Sequence, residues 1–318
     1  MRYLSLLIFF VTILPVTYCQ SQPMPALPPN QLVLPDTEQE IAFTWGGDSL
    51  GNRWDPYGSL LLPVRLPGCP KQFYMQFDLG SPYSMFYNNK ISQISKKYPK
   101  TITATDTTGK LFNVSFVAGK TLITAKEIVI RQYDKSMIDW NKKNIEIIGT
   151  IGSDLIDNKV LTIDYPGRKI IITKEVPARF ATNSFTDFIW GGRRVLLPAV
   201  IKGKKTMLLF DTGSSTFELI TDKETCSSLS IPGAAASTYS VRSWNRTMMA
   251  NTLPSSDSVE MGSQRIPLKN VTYMDGATEA QINQMKQMGM AGMTGNKLFL
   301  NSILILDTRS RKFAIVSK

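Results

Sequence analysis

Two short segments of this sequence decide its fold: residues 77–81 read FDLGS, and residues 210–214 read FDTGS. Each segment follows an apolar run and contains Asp and Gly, which is typical of a sharp turn at the end of a strand. The aspartates of the two turns, Asp78 and Asp211, are 211 − 78 = 133 positions apart. A strand-and-turn pattern that occurs twice in one chain indicates an internal duplication.

Landmarks upstream of the two turns repeat as well. The tripeptide Trp-Gly-Gly occupies residues 45–47 and 190–192, and LLPV at 61–64 returns as LLPA at 196–199. A Trp beside two Gly residues could form a ligand platform, but its recurrence at the same place in both copies favours packing. We therefore expect both Trp-Gly-Gly segments to be structural.

The segments downstream of the turns also correspond. Residues 148–152 (IGTIG) match residues 291–295 (AGMTG), and we expect both segments to cross beneath the aspartates. The next landmarks are Asp164 and Asp307, each 15 positions after an equivalent Gly (164 − 149 and 307 − 292). Both precede turns, so we interpret them as structural turn or ion-pair residues.

Secondary-structure signals are mostly those of strands. Short β-branched or apolar runs between turn residues predict strands at residues 73–77, 111–117, 126–131, 160–163, 169–173, 207–210 and 303–306. Helical periodicity is limited to residues 88–97, 223–228 and 278–288. The sequence therefore predicts an all-β fold.

The N-terminal region has the pattern of a targeting segment followed by a linker. Arg2 precedes an apolar run at residues 4–16, which is shorter than the roughly 20 apolar residues that span a bilayer. We predict a signal peptide at residues 1–22 and an extended, Pro-rich linker at residues 23–40. This pattern indicates an extracytoplasmic protein, either secreted or periplasmic.

The rest of the chain is expected to form two globular units, at residues 41–175 and 176–318. Cys19 leaves lipoprotein anchoring open as a lesser alternative, because Tyr18 stands where a lipidation motif requires a small residue. We expect contact with a membrane only if Cys19 is lipidated.

The composition excludes several classes of chemistry. The 318 residues contain no His, so a Ser-His or Cys-His nucleophile, a His-ligated metal and an imidazole base are all excluded. Carboxylates, hydroxyls, Lys or Tyr must carry any reaction near neutral pH. The three Cys residues lack metal-binding spacing, and Cys69 and Cys226 could either pair or stay free.

The chain is basic, with 36 Lys and Arg against 25 Asp and Glu and a net charge of +11. The cations are scattered in short pairs, such as Lys96-Lys97 and Arg193-Arg194, rather than gathered on one helix. Nucleic-acid-binding proteins usually collect their cations on one face. We therefore expect no nucleic-acid partner.

A strand that ends in Asp-x-Gly-Ser, present twice and followed each time by an apolar-apolar-Gly segment, resembles the pepsin-like and retropepsin-like aspartic proteases. The resemblance extends over about residues 41–318 and is closest to single-chain, bilobal, secreted members. It implies two β-barrel lobes with a cleft between them that holds a peptide or protein substrate. It also implies a monomeric endopeptidase with Asp78 and Asp211 as catalytic residues, no cofactor and no metal.

Two carboxylates placed side by side suit this chemistry. Like charges about 3 Å apart cannot both ionise, so the pair shares one proton and holds an acid and a base together. The base takes a proton from water, and the acid polarises the scissile carbonyl. Glycine lets each turn bend sharply, and the resemblance implies that the Ser hydroxyls support the outer carboxylate oxygens. The residues expected to support the pair are Gly80, Ser81, Thr212, Gly213 and Ser214.

One position departs from the family pattern. The resemblance implies a Thr after each Asp, but this chain has Thr212 in the second turn and Leu79 in the first. We expect half of the hydroxyl contacts that join the lobes beneath the pair to be missing. Leu79 thus favours a rival hypothesis, a catalytically weak or inactive pepsin-fold binding protein. Residues 105–110 are the candidate for a substrate-covering flap, and Tyr239 is the aromatic candidate at the same offset in the second unit.

Overall fold

The computed structural model describes residues 27–102, 109–133, 135–140, 144–243, 246–276 and 289–317. The predicted signal peptide, the predicted helix at 278–288 and most of the candidate flap at 105–110 lie outside these ranges. Within them the chain is mostly β, as predicted, and its strands form three sheets. No helix in the described ranges has the length and apolar character needed to cross a membrane.

Among the described residues of the first half of the chain, the α-helix is α1 (Asn88–Lys97), and short 3-10 helices lie at Ser153–Ile156 and Ala178–Phe180. Its strands are β1 (Leu32–Val33), β2 (Gln39–Ala42), β3 (Thr44–Leu50), β4 (Arg53–Arg65), β5 (Gln72–Phe77), β6 (Met85–Tyr87), β7 (Lys110–Ala118), β8 (Thr121–Arg131), β9 (Ile147–Ile151), β10 (Val160–Asp164) and β11 (Lys169–Thr173).

The second half contains α2 (Lys223–Leu229) and short 3-10 helices at Thr212–Ser214 and Asn296–Phe299. Its strands are β12 (Thr186–Asp187), β13 (Ile189–Gly191), β14 (Arg194–Ile201), β15 (Lys204–Phe210), β16 (Ile220–Thr221), β17 (Ser237–Ser243), β18 (Arg246–Pro254), β19 (Ser258–Met261), β20 (Gln264–Pro267), β21 (Asn270–Asp275), β22 (Met290–Thr294), β23 (Ser302–Asp307) and β24 (Lys312–Ser317).

Each half of the chain contributes most of one sheet. The first sheet has the strand order β1-β8-β6-β9-β5-β4-β3, with β7 paired to β4 and β8. The third has the order β17-β18-β21-β16-β22-β15-β14-β19-β20, with β13 paired to β14. The second sheet, β12-β24-β23-β10-β11-β2, takes strands from both halves and joins them through the antiparallel pair of β10 and β23.

Parallel pairing fixes the strands that carry the two aspartate turns. Strand β5 pairs in parallel with β9, and β15 pairs in parallel with β22, each with one register shift. The pairing continues into the turns, because the Asp78 N–H donates to the Ile151 carbonyl at 3.0 Å and the Asp211 N–H donates to the Thr294 carbonyl at 2.9 Å. The two downstream Gly-containing segments, which were expected to cross beneath the aspartates, therefore run parallel to the strands that carry them.

The buried positions explain why these segments form strands. In β5 the side chains alternate, so that Phe73, Met75 and Phe77 are fully buried while their neighbours are not. This period of two is the pattern of a strand with one covered face. All seven predicted strands are confirmed within a few residues, and helix α1 begins and ends where it was predicted. Helix α2 begins after Asp222, whose carboxylate accepts the Thr225 N–H at 3.0 Å as an N-cap.

The predicted linker differs from expectation in its described part. It was expected to be an extended tether, but Leu32 pairs with Ala125 in the first sheet, and Glu40 pairs with Ile171 in the second. Leu32 and Gln39 are buried. Extended, Pro-rich sequence can add a strand to a sheet edge as readily as it can remain free, and composition alone does not distinguish the two.

Candidate functional site

The structure brings the two predicted aspartates together. The N–H of Gly80 donates to Oδ1 of Asp78 at 2.9 Å and to Oδ1 of Asp211 at 3.1 Å. The N–H of Gly213 donates to Oδ1 of Asp211 at 2.7 Å. Since one donor reaches both carboxylates, their Oδ1 atoms lie no more than 2.9 + 3.1 = 6.0 Å apart. The two carboxyl groups form one pair, and both residues keep partial contact with solvent.

Both turns require glycine because there is no space for a Cβ atom. A Cβ on Gly80 would lie 2.6 Å from Cγ of Asp211, and a Cβ on Gly213 would lie 2.7 Å from Cγ of Asp78. Neither glycine has the left-handed backbone that glycine alone adopts easily. From the sequence, glycine was expected because it permits a sharp bend. In the structure its role is different, since each glycine lets the opposite carboxylate approach its backbone.

The pair holds a proton at Asp78. The pKa of the Asp78 carboxyl is raised to about 8, chiefly by burial and next by the charge of Asp211 and a hydrogen bond with its side chain, against the lowering effect of the Ser81 and Gly80 N–H groups. Asp78 is therefore protonated at neutral pH. An acid and a base next to each other at one pH are the requirement for proton transfer in both directions.

Stability should depend on this proton. An unfolded Asp ionises near pH 3.8, whereas folded Asp78 keeps its proton to about pH 8. Between these values the unfolded chain binds fewer protons at this site, so the free energy of unfolding falls as the pH rises from about 4 to 8. Asp78→Asn should reduce this slope, because Asn is neutral at every pH. Denaturant unfolding at several pH values measures it, with Asp187→Asn, an 86% exposed position, as the control that keeps the slope. An unchanged slope in Asp78→Asn would contradict the raised pKa.

Thr212 joins the two turns beneath the carboxylates. Its hydroxyl donates to the Phe77 carbonyl at 2.8 Å and accepts the Leu79 N–H at 2.8 Å. The Thr212 side chain is fully buried. This is one half of the contact that the family pattern implies, and the other half has no hydroxyl because Leu79 stands there. Leu79 is also fully buried and belongs to the hydrophobic core.

Leu79→Thr is expected to destabilise the protein by about 1–3 kcal/mol without raising any activity. The substitution removes buried apolar volume and places a hydroxyl in an environment packed for Leu. Thermal and denaturant unfolding measure the loss. Leu79→Met, which conserves volume, should cost less and serves as the control. A Leu79→Thr protein as stable as the original and faster on peptides would show that Leu79 holds the pair open.

The two Ser residues play different parts. The Ser214 hydroxyl donates to Oδ2 of Asp211 at 2.9 Å, as expected. The Ser81 hydroxyl instead donates to the Tyr83 carbonyl at 2.8 Å, and only its backbone N–H supports Asp78, at 3.1 Å. The expectation that the Ser81 hydroxyl supports the Asp78 carboxylate is therefore wrong. Asp211 has three donors and Asp78 has two, which favours the negative charge on Asp211.

Sequence reasoning missed the residues that hold the turns from below. The amide of Asn296 donates to the Thr212 carbonyl at 2.9 Å, and the Ser153 backbone N–H donates to the Ser81 carbonyl at 2.9 Å. Each follows a repeated Gly-containing segment, and that shared position was the available signal. Asp154 accepts two hydrogen bonds from Ser84, and burial raises the pKa of its carboxyl to about 6.

The late repeated aspartates are turn residues, as predicted. The Asp164 carboxylate accepts the Gly167 N–H at 2.8 Å. The Asp307 carboxylate accepts the Arg309 N–H at 3.0 Å and the Ser310 N–H at 3.1 Å. Neither belongs to the carboxylate pair.

The side chains of the two cysteines and of Tyr239 are buried in the structure. Cys69 and Cys226 are free and buried, and desolvation followed by the charge of Asp222 raises the pKa of Cys226 to about 11. Tyr239 is buried in a cluster with Leu50, and its hydroxyl shares a hydrogen bond with Thr252 at 2.8 Å.

Searches against protein-family models and against curated proteins found no match to this chain. Within the described ranges, no three acidic or Cys side chains are grouped so as to hold a metal ion. The carboxylate pair is therefore the feature of this chain that bears on its function.

Proposed function

We propose that this protein is an aspartic endopeptidase with two pepsin-like lobes, in which Asp78 and Asp211 activate a water molecule. The observation that carries the proposal is the single Gly80 N–H that donates to both carboxylates. Such an arrangement keeps two acidic groups close enough to share a proton. Two acidic groups held close together destabilise a fold, so such a pair suggests a function. Perturbed carboxyl pKa values concentrate at functional sites.

The roles follow from the different surroundings of the two carboxyls. Asp211, charged and held by three donors, takes a proton from water as the water oxygen bonds to the scissile carbonyl carbon. Asp78, protonated, gives its proton to the carbonyl oxygen, and the carbonyl carbon becomes a tetrahedral diol. Asp211 then returns its proton to the amide nitrogen, the C–N bond breaks, and Asp78 recovers a proton from a diol hydroxyl. The carboxyls end as they began, and no covalent intermediate is needed.

The strand pairing supports the proposed duplication. The parallel pairs β5 with β9 and β15 with β22 recur at equivalent places in the first and third sheets. Strands β6 and β16 then lie antiparallel to β9 and β22. Because the turns after β5 and β15 come from different halves of the chain, a substrate that reaches both carboxylates would lie between the halves. The predictions of a monomer and of an extracytoplasmic location stay predictions.

The rate of peptide cleavage should fall as the pH rises through about 8. Asp78 must be protonated to donate to the carbonyl oxygen, and its pKa is raised to about 8. The protein should therefore cleave peptides at pH 6 to 7, where a carboxyl with an ordinary pKa has lost its proton. Measurement of kcat/KM from pH 4 to 9 tests this expectation. A rate that is already lost at pH 6 would contradict the assigned proton.

Cleavage of a mixed peptide library tests the function itself. The purified chain is incubated with the library between pH 4 and 8, and new peptide termini are identified by mass spectrometry. The double variant Asp78→Asn/Asp211→Asn is the matched control, because it keeps the shape of both side chains. New termini from the original chain alone support the proposal, and their absence at every pH rejects it.

Two observations favour the rival candidate, a binding protein of the same fold without catalysis. Leu79 has no hydroxyl to complete the contact between the turns, and the Ser81 hydroxyl is directed to Tyr83. Small errors of position at a reacting centre are expensive in rate. The rival predicts that library peptides bind to the chain but are recovered uncut.

A further inference from the structure

A cavity of about 570 Å³ lies apart from the carboxylate pair. Its walls come from distant parts of the sequence: β3 and β4, the turn between β10 and β11, the region of β20, residues 297–302 and β24, together with Glu218. None of the residues of the two aspartate turns lines it. Its volume falls within the range of small-molecule sites, about 300–1,000 Å³. The proposed peptidase function makes no use of this space.

Aromatic rings form one wall of the cavity. The rings of Trp45 and Tyr165 are stacked, with centroids 6.3 Å apart and planes 7° from parallel, and Tyr57 meets the edge of Trp45 at 5.3 Å. Tyr165 is held in place by its hydroxyl, which donates to Oδ1 of Asn296 at 2.7 Å. A fixed aromatic wall beside open space favours a flat, apolar body in the ligand. The first Trp-Gly-Gly segment thus has a packing role, as predicted, and also borders this cavity.

Cations surround the same cavity. Arg168, Arg265 and Lys269 line it and are exposed. In the part of the chain that the structure describes, no carboxylate lies within 4.0 Å of their charged groups. The Arg265 Nε donates to the Ser258 hydroxyl at 2.7 Å, which leaves the other guanidinium N–H groups available.

The two remaining charged residues of the lining, Lys297 and Glu218, are both held by other groups of the protein. Lys297 forms an ion pair with the buried Asp55. Glu218 is buried, and its Oε2 accepts the Lys269 N–H at 2.6 Å and the Asn270 N–H at 3.1 Å. With Lys297 neutralised by Asp55, the three cations Arg168, Arg265 and Lys269 stand against the one carboxylate of Glu218, so the balance of charge at the cavity is positive.

We propose that this cavity binds a small organic anion with an aromatic body, the ring lying against the Trp45 wall and the anionic group facing Arg168 and Arg265. An inorganic anion alone would make no contact with the aromatic wall, and a neutral aromatic compound would make no ionic contact with the cations. Arginine is well suited to anions because its planar guanidinium donates several hydrogen bonds at once. The inference does not depend on the proposed peptidase function.

Isothermal titration calorimetry with naphthalene-2-sulfonate tests the proposal. We expect one saturable site per chain. The neutral analogue naphthalene-2-methanol should bind at least about tenfold more weakly, and so should inorganic sulfate, because each lacks one of the two recognised features. Equal binding of the neutral analogue, or equal binding of sulfate, would overturn the proposal.

Charge reversals locate the site. Arg168→Glu/Arg265→Glu should weaken sulfonate binding at least about tenfold, and Arg168→Gln/Arg265→Gln should weaken it less. The matched control is Lys126→Glu/Arg131→Glu, which makes the same change of net charge on exposed residues of β8, away from the cavity. Thermal unfolding checks that all the variants are folded. Unchanged affinity in both cavity variants, or an equal loss in the control, would reject this cavity as the site.

Discussion

Replacing Asp211 by Asn is expected to lower kcat/KM for peptide hydrolysis about 10³-fold or more, because the substitution removes the base that takes the proton from water. Asn keeps an Oδ1 that can accept the N–H groups of Gly80 and Gly213, so the turn should keep its shape. Asp78→Asn should cause a similar loss, since an amide cannot transfer a proton to the carbonyl oxygen.

Rates of cleavage of one identified peptide, measured together with thermal unfolding, separate loss of chemistry from loss of fold. Asp187→Asn, at an exposed position, is the control that should keep full activity. A single Asn variant that retains the original rate would remove that carboxyl from the proposed mechanism.

Replacing Thr212 by Val is expected to lower the free energy of unfolding by about 2–6 kcal/mol. Val has nearly the shape of Thr but no hydroxyl, so the Phe77 carbonyl and the Leu79 N–H both lose a partner in a buried place. Each unsatisfied buried backbone group costs about 1–3 kcal/mol. Peptide hydrolysis should fall as well, because the same hydrogen bonds fix the distance between the turns.

Thr212→Ser is the matched control for this prediction. It keeps the hydroxyl and removes one methyl group, so it should cost less than Thr212→Val in both stability and rate. Denaturant unfolding of the two variants measures the difference. Equal losses would mean that Thr212 acts by packing and that its hydrogen bonds to the first turn contribute little.

Local features of the fold could be predicted from the sequence. The bounds of helix α1 follow from periodicity, and β5 follows from its alternating buried side chains. The pairing of Asp78 with Asp211 could be expected because the turns repeat in phase with their neighbours. Burial of Leu79 could be expected from its chemistry.

Other features depend on contacts between distant residues, which no local pattern encodes. Gly80 is needed for the approach of Asp211, 131 positions away, and not for its own backbone angles. The Ser81 hydroxyl donates to the Tyr83 carbonyl, although the Asp-x-Gly-Ser motif is the same in both turns. The aromatic and cationic cavity combines segments spread from Trp45 to Ser317, so its residues looked unrelated in the sequence.

The shared proton is tested by titrating Asp78, with the carbon-13 chemical shift of its carboxyl carbon followed from pH 3 to 10. The signal is assigned by its absence in Asp78→Asn. Two carboxyls that share one proton predict a midpoint of about 8 for Asp78 in the original chain. They also predict a lower midpoint in Asp211→Asn, where the neighbouring charge is removed. A midpoint near 4 in the original chain, unchanged by Asp211→Asn, would contradict the shared proton and the mechanism built on it.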